Sequence, residues 1–170
     1  PRTMAANQPW FSNGFIIASV KNNISYDVSL PNSLQFATHG QSIAIADVDK
    51  DGVCEIFIQC TDNKVYCFNF NASNQLVYKS TFTTTGTLNA RYIVQLADLN
   101  NDGNPELIAG PYIFNAKTGG TPLLTMTFET DGTAYGSPHN QGSYSMPAIG
   151  DVDGDGYLEI AAGSTIYKPN

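Results

Sequence analysis

The sequence predicts an all-β fold built from repeated four-stranded antiparallel sheets, and three observations predict it. Aromatic, Thr, Ile and Val residues are plentiful, as are Gly, Asn and Pro, a mixture that favours strands and turns over helices. Apolar residues make up 42% of the 170 and charged residues only 14%, which excludes a disordered chain and suits sheets covered on both faces. Third, one acidic motif recurs along the chain at a regular interval, the mark of a repeat architecture.

The repeats are "IAIADVDKDGVCEIFIQ", "IVQLADLNNDGNPELIAG" and "MPAIGDVDGDGYLEIAAG". Their anchors are Asp47, Asp98 and Asp151, spaced by 51 and 53 residues. A small residue precedes each anchor (Ala46, Ala97, Gly150) and an aliphatic residue follows it (Val48, Leu99, Val152). Eleven of the fifteen acidic residues lie in these stretches, so the formal charge of -7 reports local sites rather than an acidic surface. With no basic patch, nucleic acid is excluded as a partner. No apolar run reaches the length of a membrane span.

Taken in chain order, "GFIIASVK" and "ISYDVSLP" match the third and fourth strands of a unit that has no acidic loop before them. Each later unit opens on an apolar strand, Ser42 to Ala46 or Tyr92 to Ala97, and then enters the acidic loop. A second strand follows, from Glu55, Glu106 or Glu159. A turn ("TDNK", "GP", "GS") leads to an aromatic-rich third strand ("KVYCFNF", "YIFNA", "TIYKP"). In the first two acidic units a fourth strand completes the set ("QLVYKSTF", "PLLTMTF"). Four short strands in about 50 residues are the blade of a β-propeller. The predicted division is one propeller segment over 1–170: outer strands of a partial blade in 1–32, whole blades in 33–83 and 84–130, and a partial blade in 131–170. Closed propellers have four to eight blades, so the expectation is a segment of a larger ring, or a ring completed by a second copy.

Cys60 and Cys67 flank the turn "TDNK". With Asp62–Asn63 as a two-residue turn, their side chains share one sheet face a diagonal step apart, and buried free thiols are expected there.

An aspartate ladder at the first, third and fifth positions, with Gly at the sixth, is how a chain wraps Ca²⁺, because alternate side chains point inward and Gly permits the sharp turn. An EF-hand is excluded, since it needs Glu at the twelfth position, where this chain has Ile58, Ala109 and Ala162. The last carboxylate stands at the ninth position instead: Glu55, Glu106, Glu159.

These motifs resemble the FG-GAP, or VCBS-type, repeats of calcium-binding β-propellers, found in integrin α-subunits and many secreted bacterial proteins. The form "GDVDGDGxxEI" is closer to the bacterial version, and the Phe-Gly and Gly-Ala-Pro landmarks of the integrin version are missing. The resemblance implies up to three calcium ions. Their side-chain ligands would be Asp47, Asp49, Asp51 and Glu55; Asp98, Asn100, Asp102 and Glu106; Asp151, Asp153, Asp155 and Glu159. The carbonyls of Val53, Asn104 and Tyr157 would complete the shells. With Asn100 in place of an aspartate, the middle loop is expected to bind more weakly.

Function is sought on the opposite face, in the connections between blades. The connection from Glu129 to Ser145, "ETDGTAYGSPHNQGSYS", is the longest and carries Tyr135, His139, Asn140 and Tyr144, while Arg91 ends another. Such side chains suit glycan or protein ligands, by stacking and neutral hydrogen bonds. No nucleophile motif such as G-x-S-x-G is present, so binding or adhesion by a secreted or surface-exposed bacterial protein is favoured over catalysis. The alternatives are the propeller of a polysaccharide lyase of the rhamnogalacturonan-lyase type, for which the chain holds few cations, and a structural scaffold.

Overall fold

A computed structural model describes residues 14–19, 24–29, 43–73, 75–83, 93–126, 147–162 and 165–168. Every regular element among them is a β-strand, and none is a helix long and apolar enough to cross a membrane. The fold is therefore all-β. A hairpin pairs β1 (Gly14–Ser19) with β2 (Ile24–Ser29). A four-stranded sheet follows, with β3 (Ile43–Ala46), β4 (Glu55–Gln59), β5 (Val65–Phe70) and β6 (Leu76–Phe82) paired in chain order. The second sheet repeats the order with β7 (Val94–Ala97), β8 (Glu106–Ala109), β9 (Tyr112–Asn115) and β10 (Leu124–Thr125). The third is three-stranded: β11 (Ala148–Gly150), β12 (Glu159–Ala162) and β13 (Thr165–Tyr167).

Register is the same in all three sheets at the acidic loop. Ala46 faces Glu55, Ala97 faces Glu106 and Gly150 faces Glu159 across the first strand pair. The small residue before each anchor thus has a physical reason: it lies directly opposite the glutamate and leaves that side chain room to turn back into the loop.

The sheets stack through their faces. Phe57 and Cys67 of the first sheet meet Leu107, Ala109 and Phe114 of the second in one buried cluster. Ile108 and Ile113, on the other face of the second sheet, meet Ile160 of the third. The first two loops also plug the contact with the sheet that follows. Val48 is buried in the first cluster and Leu99 in the second. The aromatic rings of Phe57, Phe82 and Phe114 form a run across the first interface, at centroid distances of 5.7 and 5.5 Å.

A backbone clasp joins the same two sheets at their outer edge. Thr83 donates to the Gly120 carbonyl at 2.9 Å, and the Gly120 N–H donates to the Thr81 carbonyl at 2.9 Å. Gly119 makes this approach possible: its φ is 69°, and a Cβ there would lie 2.8 Å from Ser80 Cβ. A Gly119→Ala variant is expected to lose about 3 kcal/mol of stability, from a left-handed backbone and a forced separation of the sheets together, measurable by urea unfolding.

One expectation about the cysteines is corrected. The turn after β4 has three residues at its tip, Thr61, Asp62 and Asn63, with Asn63 left-handed at φ 62° and the Cys60 N–H donating to the Lys64 carbonyl. This odd count, a frequent hairpin form with a left-handed third residue, places Gln59 opposite Val65 and Phe57 opposite Cys67. Cys60 and Cys67 therefore lie in different clusters on opposite faces. Both thiols are free, buried, and pushed up to about 12 by burial, so they pack as apolar groups.

Candidate metal centres

The three acidic loops fold alike because each carboxylate has a backbone task. At the first position, both oxygens accept main-chain N–H groups. Asp47 takes those of Asp51 and Gly52 at 3.1 and 2.9 Å, and Asp98 those of Asp102 and Gly103 at 3.0 and 2.7 Å. Asp151 takes those of Gly154 and Gly156 at 2.6 and 3.0 Å. At the fifth position, Asp51, Asp102 and Asp155 accept from the N–H two residues on, at Val53, Asn104 and Tyr157. The fourth and sixth residues are left-handed in every loop: Lys50 and Gly52, Asn101 and Gly103, Gly154 and Gly156.

The glutamate at the ninth position opens the second strand of each sheet and reaches back. Glu55, Glu106 and Glu159 each accept through Oε2 from the N–H of the residue after the anchor, Val48, Leu99 and Val152, at 3.0, 3.0 and 2.8 Å. All three glutamates are buried. One oxygen closes the loop, and the other is left for a partner inside it.

In the first loop, Asp47, Asp49 and Glu55 bring one carboxylate oxygen each within 4.8 Å of one another, as do Asp151, Asp153 and Glu159 in the third. These are the first, third and ninth positions; the fifth-position aspartates, Asp51 and Asp155, stand outside the triads and hold the turn. In the middle loop, Asn100 Oδ1 accepts the Asp102 N–H at 3.1 Å, and its Nδ2 donates to Asp102 Oδ2 at 3.3 Å. That loop presents a donor where the others present an oxygen.

A hard divalent cation fits the two triads by three observations. The donor set is all carboxylate oxygen, the ligand type calcium takes. Glu159 Oε1 is buried with no hydrogen-bond partner. And an ammonium already occupies each cluster: Lys79 Nζ lies 2.7 Å from Asp49 Oδ2 and 2.8 Å from Glu55 Oε1. Lys168 Nζ contacts Asp155 and lies 2.9 Å from Asp153 Oδ2 and 3.8 Å from Glu159 Oε1. These lysines hold the carboxyls of Asp49 and Asp155 below the usual range, and both lysines are raised in turn. Asp102 is held low chiefly by the Asn104 N–H, whereas burial raises Glu106.

The lysines were not legible in the sequence, because Lys79 lies 24 residues from Glu55 and Lys168 lies 15 from Asp153. The expected ligand residues Arg91, Tyr135, His139, Asn140 and Tyr144 lie outside the described residues.

The state of Glu106 gives a pH-dependent prediction. A buried carboxyl with a raised folded-state value contributes stability below its unfolded pKa of about 4.3 and loses it as the pH rises through the folded value. Glu106→Gln keeps an oxygen for the Leu99 N–H and removes the charge. The variant is expected to gain stability relative to the parent between pH 4 and pH 7 in metal-free buffer, read as the shift in urea midpoint.

The FG-GAP-like repeat family matches residues 47–109, which hold the first two loops. The crystal structure of the V. cholerae biofilm matrix protein Bap1 is similar in fold, with a TM-score of 0.56 and 20% sequence identity. The match covers 93% of this chain but only 23% of the Bap1 chain. No curated protein matches the sequence. The chain carries FG-GAP-like repeat sequence, which spans residues 47–109 and both of the loops anchored at Asp47 and Asp98.

Proposed function

We propose that the chain is a calcium-stabilised β-propeller segment of a secreted or cell-surface protein, bacterial in type, that acts in adhesion to a glycan or protein ligand. The observation that carries it is the buried glutamate at the end of each loop, with one oxygen fixed to the backbone and the other turned toward two aspartates in the first and third loops. A cation there would neutralise carboxylates that otherwise repel and would tie the first two strands of a sheet together. Asp47, Asp49 and Glu55 would hold it in the first loop, and Asp151, Asp153 and Glu159 in the third. Asp98, Asn100 and Glu106 form a weaker middle site.

Propeller assembly is supported by the serial stacking of sheets and by Val152. Its counterparts Val48 and Leu99 are buried under the following sheet, but Val152 is 62% exposed. A further sheet, from the rest of a longer chain or from a second copy, would cover it. The biofilm matrix protein with a similar fold makes adhesion the first role to test. The experiment is retention of the purified chain on immobilised glycans and matrix proteins, in about 1 mM calcium, the range of extracellular modules, and again in chelator. Calcium-dependent retention without release of sugar products is the expected result. Retention on neither surface contradicts the adhesive role, and release of unsaturated uronate from pectin replaces it with a lyase.

A further inference from the structure

We propose that Lys79 and Lys168 are built-in counter-cations, each holding the place of a metal ion in its loop, so that metal binding at the first and third loops is an exchange of ammonium for ion. The inference rests on the calcium reading above. Three observations support it. First, each ammonium sits against its own loop's triad: Lys79 on Asp49 and Glu55, and Lys168 on Asp153, with Asp155 as its other partner and Glu159 Oε1 3.8 Å away, beyond hydrogen-bond reach. At 2.7 and 2.8 Å, the Lys79 contacts are only slightly longer than the 2.3–2.6 Å of calcium–oxygen bonds, which are roughly what a cation in that position would make.

Second, the backbone is shaped to deliver Lys79. Along the β5–β6 pair, Cys67 faces Ser80 and Phe68 faces Tyr78, so Lys79 is the extra residue of a β-bulge. A bulge re-aims its side chain, and here it sends the ammonium across from the outermost strand to Glu55, which is 0% exposed. Lys168 arrives by a different route, directly after β13. Two unrelated positions bring a lysine to the same motif, and both bond its third-position aspartate.

Third, the loop with fewest carboxylates has a lysine beside it but none seated on its carboxylates: Lys50 Nζ stands 3.2 Å from where a Cβ on Gly103 would lie, and its charge helps hold Asp102 low. The fourth strand of the second sheet, Leu124–Thr125, carries no lysine. Among the described residues, no lysine pairs at ion-pair distance with Asp98, Asp102 or Glu106. Lys79 and Lys168 therefore sit where the carboxylates are most numerous. They also hold the metal-free loops in folded form.

An ammonium seated nine-tenths of the time lowers apparent metal affinity about tenfold, by the same arithmetic that reduces binding to any fractionally available state. The test is calcium titration followed by amide NMR, in which Gly52, Gly103 and Gly156 report the three loops separately. Lys79→Met is expected to lower the calcium midpoint at Gly52 about tenfold and leave those at Gly103 and Gly156 within about twofold. Lys168→Met, which removes a more exposed side chain and keeps the test open if the first variant folds poorly, is expected to do the same at Gly156. Both variants should melt below the parent in chelator, while Lys64→Met, which removes the partner of Asp62 outside the loops, should not change any midpoint. An unchanged or raised midpoint at Gly52 in Lys79→Met, or at Gly156 in Lys168→Met, overturns the exchange. A parent protein whose three glycines ignore calcium overturns the underlying calcium reading as well, so the two failures are distinguishable.

Discussion

Truncation of Phe114 to alanine is expected to lower the unfolding free energy by about 4 kcal/mol, a drop of roughly 12 °C in Tm for a domain of this size. Phe114 is fully buried and makes an edge-on contact with Phe82, which in turn packs against Phe57. Removing the ring leaves a cavity between two sheets whose backbones are pinned by the clasp at Gly120, so the walls cannot collapse to fill it. The loss thus combines transfer and cavity terms. Phe114→Leu, which refills most of the space, should cost well under half as much. Equal losses in the two variants would mean that shape in this interface matters less than the stacking requires. Urea midpoints at constant m-value separate these outcomes.

Replacement of Glu55 by alanine is expected to cost about 3 kcal/mol even in metal-free buffer, and more with calcium present. The side chain does two things at once. Its Oε2 takes the Val48 N–H, and its Oε1 takes the Lys79 ammonium. Without it, a buried N–H in the loop has no acceptor, and Lys79 keeps only Asp49; breaking a buried charge pair from one side costs about 3–5 kcal/mol, less here because Lys79 is partly exposed. Val48, locked by that hydrogen bond, is also what the loop inserts into the core shared by the first two sheets. The variant should therefore loosen the sheet interface as well as the loop, seen as faster amide exchange at Leu107 and Phe114. Glu55→Gln keeps an acceptor for Val48 and should restore most of the stability but not the calcium response. If Glu55→Ala melts like the parent in chelator, the structural half of this glutamate's role is absent.

Much of this architecture was legible because the repeat carries its own alignment. The strands on either side of each loop start and stop within a residue or two of where the apolar runs do, since a strand covered on both faces leaves an apolar run with a polar end. The left-handed sixth position was visible as glycine. The left-handed fourth position was not, because it is Lys50 in one loop, Asn101 in another and Gly154 in the third. The face assignment of Cys60 failed for a related reason: a hairpin tip of three residues and one of two differ by a single left-handed Asn63, and a shift of one residue turns a side chain to the other face. The lysines in the loops were hidden because a bulge in β6 and the end of β13 bring them in from distant sequence. The double role of the ninth-position glutamate was half visible. Its place at the start of a strand points to a return to the loop, but the bond of its Oε2 to the Val48, Leu99 or Val152 amide depends on a fold the motif does not spell out.

The most direct test of the account is anomalous diffraction at long wavelength from crystals grown in millimolar calcium. Difference peaks are expected among Asp47, Asp49 and Glu55 and among Asp151, Asp153 and Glu159, with Lys79 and Lys168 moved off those carboxylates and the middle loop weaker. Ordered loops with no peak, and with both ammonium groups still seated on their aspartates, would contradict it.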